Sequence, residues 1–210
     1  MLQYITHHNE KYNYIEGAIH ALEGGCKWIQ LRMKEASPGE IEHAVAQLKP
    51  LCKQYHAILL LDDHVALTAQ LDIDGVHLGK HDMPPAEARK ILGEKYIIGG
   101  TANTFDDILR LVAQDVDYIG LGPYKWTETK QNLSPVLGLD GYKQIIAQCQ
   151  SMHITTPIVA IGGIEEDDIA PLMATGVSGI ALSGTILRSN DATETTRKII
   201  STLNNLKYGK

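Results

Sequence analysis

Short runs of Ile, Val and Leu alternate with amphipathic stretches along the whole chain. The runs predict eight strands, over residues 2–6, 28–33, 57–61, 75–78, 97–100, 118–121, 157–160 and 179–182. Several are apolar at both alternations, the pattern of a parallel strand covered on both faces. The stretches between them carry helix start signals. Ser37-Pro38-Gly39-Glu40 offers a cap residue, a proline at the first helical position and an acid three residues after the serine. Ile41, Ala44, Val45, Leu48 and Cys52 then mark one helical face. Thr104-Phe105-Asp106-Asp107 repeats the signal ahead of Ile108, Leu109 and Val112. Ile169, Leu172 and Met173, then Ile199, Leu203 and Leu206, mark later helices.

Eight strand–helix units in 210 residues leave about 26 residues per unit, enough for a (β/α)8 barrel. An open doubly wound sheet is the competing α/β arrangement. No linker or low-complexity tract divides the chain, so residues 1–210 read as a single-domain TIM barrel. Hydrophobic residues at 44% and charged residues at 21% are near the average for globular proteins. No apolar run reaches the roughly 18 residues of a membrane span. Met1–Thr6 lacks the basic start of a signal peptide, and Cys26, Cys52 and Cys149 are too scattered for a disulfide framework. These features predict a cytoplasmic protein. The formal net charge of -6 argues against a nucleic-acid footprint. It leaves room for a small anion held by a few cations and backbone amides.

In either α/β architecture the chemistry collects at the carboxyl ends of the strands. Gln30-Leu31-Arg32-Met33-Lys34 follows the second run, and period-two alternation puts Gln30, Arg32 and Lys34 on one side. An anion would meet that row; solvated charges at a strand end are the plainer explanation. Asp62-Asp63-His64 follows the third run, and His77-Leu78-Gly79-Lys80-His81-Asp82 spans the end of the fourth. Carboxylates at neighbouring strand ends can share Mg2+, although Asp82 also suits a helix N-cap. His64, His77 and His81 lack metal-ligand spacing and read as structural or rim residues. A long loop from Gly122 through Lys130 to about Gly138 reads as a lid, with Thr127, Thr129 and Lys130 suited to phosphate. Ala160-Ile161-Gly162-Gly163-Ile164 and Leu182-Ser183-Gly184-Thr185 follow the last two runs, where barrels commonly bind phosphate.

From Trp28 to about Thr185 these motifs, in this order, resemble the thiamin-phosphate synthase (thiamin-phosphate pyrophosphorylase) family. Thr127-Glu128-Thr129-Lys130 after Gly120-Leu121-Gly122-Pro123 is the most specific match. The resemblance implies a Mg2+-dependent transferase of thiamin biosynthesis. It would join 4-amino-2-methyl-5-hydroxymethylpyrimidine diphosphate to a thiazole phosphate and release pyrophosphate. It further implies that Gln30, Arg32, Lys34 and Lys130 grip the diphosphate, with Arg32, Lys34 and Lys130 as the catalytic cations. Asp63 and Asp82 would hold Mg2+, and Thr127, Thr129, Gly163, Ser183 and Gly184 would seat the thiazole phosphate.

Three positions depart from the family pattern. Asp62 stands where the family usually has Asn, Thr101 replaces a Ser, and the Ser of the final turn is shifted by one residue; Asp62 and Thr101 are still expected among the substrate-binding residues. Two other activities remain open on the same fold. One is a thiazole tautomerase-like isomerase, whose characteristic His would fall at Asn103; the other is a non-catalytic binder of phosphorylated ligands. Small phosphorylated substrates are the expected partners, with no nucleic acid and no membrane. A homodimer is allowed, although no pattern in the chain marks an interface.

Overall fold

The computed structural model describes residues 1–127 and 135–208. Its strands are β1 (Leu2–Ile5), β2 (Trp28–Leu31), β3 (Ile58–Asp62), β4 (Gly75–Leu78), β5 (Ile97–Ala102), β6 (Tyr118–Leu121), β7 (Ile158–Ile161) and β8 (Gly179–Leu182). Each pairs in parallel with the next, and β1 pairs with β8, closing the barrel. Around it lie α1 (Tyr14–Glu23), α2 (Pro38–Gln54), α3 (Val65–Leu71), α4 (Pro85–Leu92), α5 (Phe105–Val112), α6 (Gly138–Ser151), α7 (Glu166–Ala174), α8 (Gly184–Leu187) and α9 (Ala192–Tyr208). The fold is the predicted (β/α)8 barrel. The four-residue α8 is the extra short helix that many such barrels carry after the last strand.

The predicted helix starts are present as reciprocal caps. At α2, Glu40 N–H donates to Ser37 Oγ and Ser37 N–H donates back to Glu40 Oε2 at 2.7 Å. At α5, Thr104 and Asp107 exchange the same pair of bonds. An unpredicted box, Asn13 with Glu16, starts α1. Strand ends differ from expectation by one or two residues. β2 stops at Leu31 instead of residue 33 because β1 has ended beside it. There the Arg32 amide donates to the side-chain hydroxyl of Thr6 at 2.9 Å. β5 runs on to Ala102 because Thr101 and Ala102 still pair with Gly120 and Leu121.

Apolar side chains fill two compartments. The larger one lies between strands and helices, where Leu22, Leu48, Ile98 and Leu172 are buried. The smaller one plugs the barrel with Ile5, Trp28, Leu60, Tyr118, Val159 and Ala181. Trp28 meets Tyr118 edge to face, with ring centroids 4.7 Å apart. Glycines make room for the Tyr118 and His77 rings in this narrow space. A Cβ on Gly99 would land inside the Tyr118 ring, and one on Gly120 would come within 3.2 Å of the His77 ring.

Gly99→Ala should therefore overpack the barrel by about 2 kcal/mol, lowering Tm by roughly 4–8 °C for a domain of this size. Thermal unfolding checks this; an unchanged Tm would show that Tyr118 yields without strain.

Candidate active site

All eight strands run the same way, so their carboxyl ends share one rim. A cavity of about 140 Å3 opens there. Gln30, Arg32 and Lys34 all line it, although the strand ends before the last two. Asp62, at the end of the neighbouring β3, also lines it and reaches across to them. Gln30 Nε2 donates to Asp62 Oδ1 at 3.0 Å, and Arg32 Nε lies 3.5 Å from Asp62 Oδ2. Gln30 is almost fully buried, and its Oε1 has no hydrogen-bond partner. The β2 wall thus presents two cations and one unused acceptor, with a carboxylate engaging part of the positive charge.

The floor is a polar relay on the plug. Gln3 Nε2 donates to the Tyr118 hydroxyl at 3.1 Å, and that hydroxyl lies 2.9 Å from His77 Nδ1. His77 Nε2 is 2.9 Å from Thr101 Oγ1. Burial pushes the Tyr118 phenol far above its ordinary pKa, so it keeps its proton. The imidazole thus bridges the phenol and the Thr101 hydroxyl through its two ring nitrogens. Of the histidines read as structural or rim residues, His77 is a structural one buried inside the barrel, and it also lines the cavity. It fixes the hydroxyl of Thr101, which also lines it.

Asp63 and Asp82 stand further out and do not line the cavity. Asp63 and His64 are consecutive left-handed residues, φ 61° and 57°, a conformation that Asp and His enter more readily than most side chains. The Asp63 amide donates to the His77 carbonyl at 2.8 Å, placing Asp63 against the end of β4. Asp82 is not the cap of α4, whose N-cap is Pro84. Its Oδ2 accepts from the Gly79 amide at 2.6 Å, and Gly79 does line the cavity. A Cβ on Gly79 would lie 2.9 Å from that carboxylate oxygen, so the glycine keeps the loop compact.

The same loop is tied down on its outer side. Lys80 Nζ lies 2.6 Å from Asp107 Oδ2, and Arg110 pairs with Asp107 Oδ1. The Asp107 carboxylate also accepts from the Asn103 amide at 2.9 Å. Burial alone would raise the Asp107 pKa, but Lys80, the Asn103 amide, Thr104 and Arg110 outweigh it and hold it at about 2. Asn103 lines the cavity with its side-chain amide donating to the Gly122 carbonyl.

Across the mouth, the cavity is walled by Thr127, Gly163, Ser183 and Gly184. Thr129 and Lys130 lie outside the described residues. Gly163 has φ +64°, and a Cβ there would strike the backbone of Lys125 and Trp126. Only glycine lets the loop after β6 rest on the loop after β7. Ser183 Oγ is buried without a hydrogen-bond partner. Two titratable lining residues, His7 and Arg188, were not singled out from the sequence. His7 stands just past the end of β1, and extending the search of strand ends to the first strand would have found it. Arg188 lies four residues beyond Gly184, one helical turn along α8. His7 has its pKa lowered by burial first, then by His8, Arg32 and Arg188.

The family described as thiamine monophosphate synthase matches residues 2–186. A thiamine-phosphate synthase of Bacteroides fragilis is 60% identical over 95% of this chain and 98% of its own length. One from Bacteroides thetaiotaomicron is 59% identical over 95% of this chain and 96% of its own. The solved thiamine phosphate pyrophosphorylase of Pyrococcus furiosus superposes with a TM-score of 0.82 at 33% identity, covering 96% of each chain.

The Asp107 cluster generates a pH prediction. A carboxyl whose pKa falls from 3.8 to about 2 on folding adds about 2 kcal/mol of stability above pH 4, lost as the pH falls toward 2. The stability gap between wild type and Asp107→Asn, from urea unfolding, should shrink by that amount between about pH 6 and pH 2. A gap independent of pH would remove Asp107 from the acid-sensitive groups.

Proposed function

The chain belongs to the thiamine monophosphate synthase family, whose transferase activity in thiamin biosynthesis it shares, and on that premise we propose how its cavity performs the reaction. One observation carries the assignment. A cationic wall at the end of β2 and a glycine-rich wall at the ends of β7 and β8 line the same cavity. Arg32 and Lys34 suit the diphosphate of the hydroxymethylpyrimidine substrate, joined by Lys130. Thr127, Thr129, Gly163, Ser183 and Gly184 suit the thiazole phosphate. Gln30 takes a different part from the one the resemblance implied. An acceptor such as its unpartnered Oε1 cannot bind a phosphate oxygen, whereas it suits the amino group of the pyrimidine. Thr101, oriented by His77, offers a second polar contact on the floor.

Asp63 and Asp82 fit a hard divalent cation, Mg2+. They sit at the ends of adjacent strands, and the Gly79 amide engages Oδ2 of Asp82, leaving Oδ1. A pair of carboxylates matches the habit of Mg2+, which takes one or two of them and completes its shell with phosphate oxygens and water. When bound, the ion supplies positive charge to the departing diphosphate.

The chemistry asks little of a protein nucleophile. The bond from the pyrimidine methylene to the diphosphate oxygen breaks, and its electron pair leaves with the diphosphate. The aminopyrimidine ring delocalises the positive charge at the methylene, and the thiazole nitrogen donates its lone pair to that carbon. Arg32, Lys34 and Lys130 meet the charge that develops on the leaving group. The opposite wall holds the thiazole against the carbon it attacks. Asp62 competes with the diphosphate, since its carboxylate engages both Gln30 and Arg32. Three buried free cysteines suit the reducing cytoplasm, and no described helix is long and apolar enough to cross a membrane.

Pyrophosphate release with each substrate alone and together, with and without Mg2+, tests the reaction. Release that needs both substrates and the metal, with thiamin phosphate formed, is the expected result; release from the diphosphate alone would point to a hydrolase. Arg32→Ala should cost about 3 kcal/mol of transition-state stabilisation, roughly a hundredfold in kcat/KM, and an unchanged value would take Arg32 out of the site. Asp62→Asn should lower KM for the diphosphate substrate several-fold, and an equal or higher KM would give Asp62 a binding rather than a competing part.

A further inference from the structure

We propose that Arg188 is a substrate-binding residue whose guanidinium takes the phosphate of the thiazole substrate over Gly184. The proposal rests on assigning the β7–β8 end of the cavity to that phosphate.

Arg188 lines the cavity, and its guanidinium packs against the backbone of the final turn. A Cβ built on Gly184 would lie 2.8 Å from Arg188 Cζ. Glycine is therefore what lets the cation reach the turn. The charge on Arg188 is also unspent. Among the described residues, each of the other four arginines has an acidic partner: Arg32 with Asp62, Arg89 with Asp117, Arg110 with Asp107, and Arg197 with Glu194. Arg188 has no such ion pair and no side-chain hydrogen bond among those residues.

Three neighbours point the same way. Ser183 Oγ, on the same turn, is buried with no partner. The Thr185 hydroxyl is already committed to the Ile164 carbonyl at 2.5 Å. His7 is kept neutral by burial, by His8 and by the positive charge of Arg32 and Arg188. A cation, a hydroxyl and a neutral imidazole thus border one end of a cavity where a carboxylate would quench the charge. A phosphate oxygen satisfies Arg188 and Ser183 together, in the charge-assisted geometry that favours arginine for phosphates. This accounts for the displaced serine of the final turn. With glycine at position 184, the contact that a side chain there would make passes to a longer side chain one helical turn on.

The test is steady-state kinetics with each substrate varied in turn, for wild type, Arg188→Ala and Arg188→Lys. Arg188→Ala should raise KM for the thiazole phosphate roughly 10- to 100-fold, the range for a charged hydrogen bond. Lys should restore part of the loss. KM for the pyrimidine diphosphate and kcat should stay within about twofold, and Tm should not move, because Arg188 holds no other part of the protein. Titration with inorganic phosphate gives a readout that needs no turnover. Wild type should bind it, and Arg188→Ala should bind it more weakly by a similar factor. If wild type fails to form thiamin phosphate, the reaction assignment falls while the phosphate titration still decides on Arg188. Equal thiazole KM and equal phosphate binding in wild type and Ala overturn the proposal. So does a rise confined to the diphosphate, or a wild type that binds no phosphate.

Discussion

The candidate active site stands on the Tyr118 phenol, fixed upright in the middle of the barrel. Its ring is gripped by the edge of Trp28 and by the space that Gly99 leaves. Its hydroxyl is held by Gln3 from below and meets His77 beside it. Burial also keeps the phenol protonated. His77 bridges it to Thr101, whose hydroxyl lines the cavity. The apolar plug therefore does more than fill the barrel, since it carries a chain of polar groups up to the cavity.

Charge is sorted around this floor by radius. Inside the mouth, Asp62 tempers the β2 cations without cancelling them, because one carboxylate is shared between Gln30 and Arg32 while Lys34 stands beside them. Outside it, Lys80 and Arg110 are spent on Asp107. There they tie the loop of Gly79 and Asp82 to the start of α5. On the β8 side no carboxylate lines the cavity among the described residues, which is why Arg188 keeps its charge for a ligand.

Much of this was legible in the sequence, because parallel strands buried on both faces write themselves as unbroken apolar runs. All eight were read within two residues of their ends, and the caps at Ser37 and Thr104 gave two helix starts directly. The β2 row was legible for the same reason: alternation alone puts Gln30, Arg32 and Lys34 on one side. What escaped the reading has physical causes as well. The end of β2 depends on where β1 stops, a fact about a neighbour 26 residues away. That His77 also lines the cavity was not legible, because its place is set by Tyr118 and Thr101, which are distant in the chain. Arg188 was missed because it reaches the cavity by helical rise from the final turn and not as a residue at a strand end. The positive φ at Asp63 is invisible in composition, and the glycine turns, legible as turns, do not say which loop will rest on them.

The sorting of charge also governs how a substrate arrives. The chain as a whole is acidic, at -6, while the walls of its mouth carry Arg32, Lys34 and Arg188. A phosphorylated molecule approaching from beyond a Debye length, about 8 Å in physiological salt, meets weak repulsion or nothing. Only within the mouth, where low-dielectric walls concentrate the field, does it meet attraction. Capture is therefore short-ranged and selective by position. Anions slide past the outer surface and are retained at one place, and a product that has shed its diphosphate has less charge to hold it there.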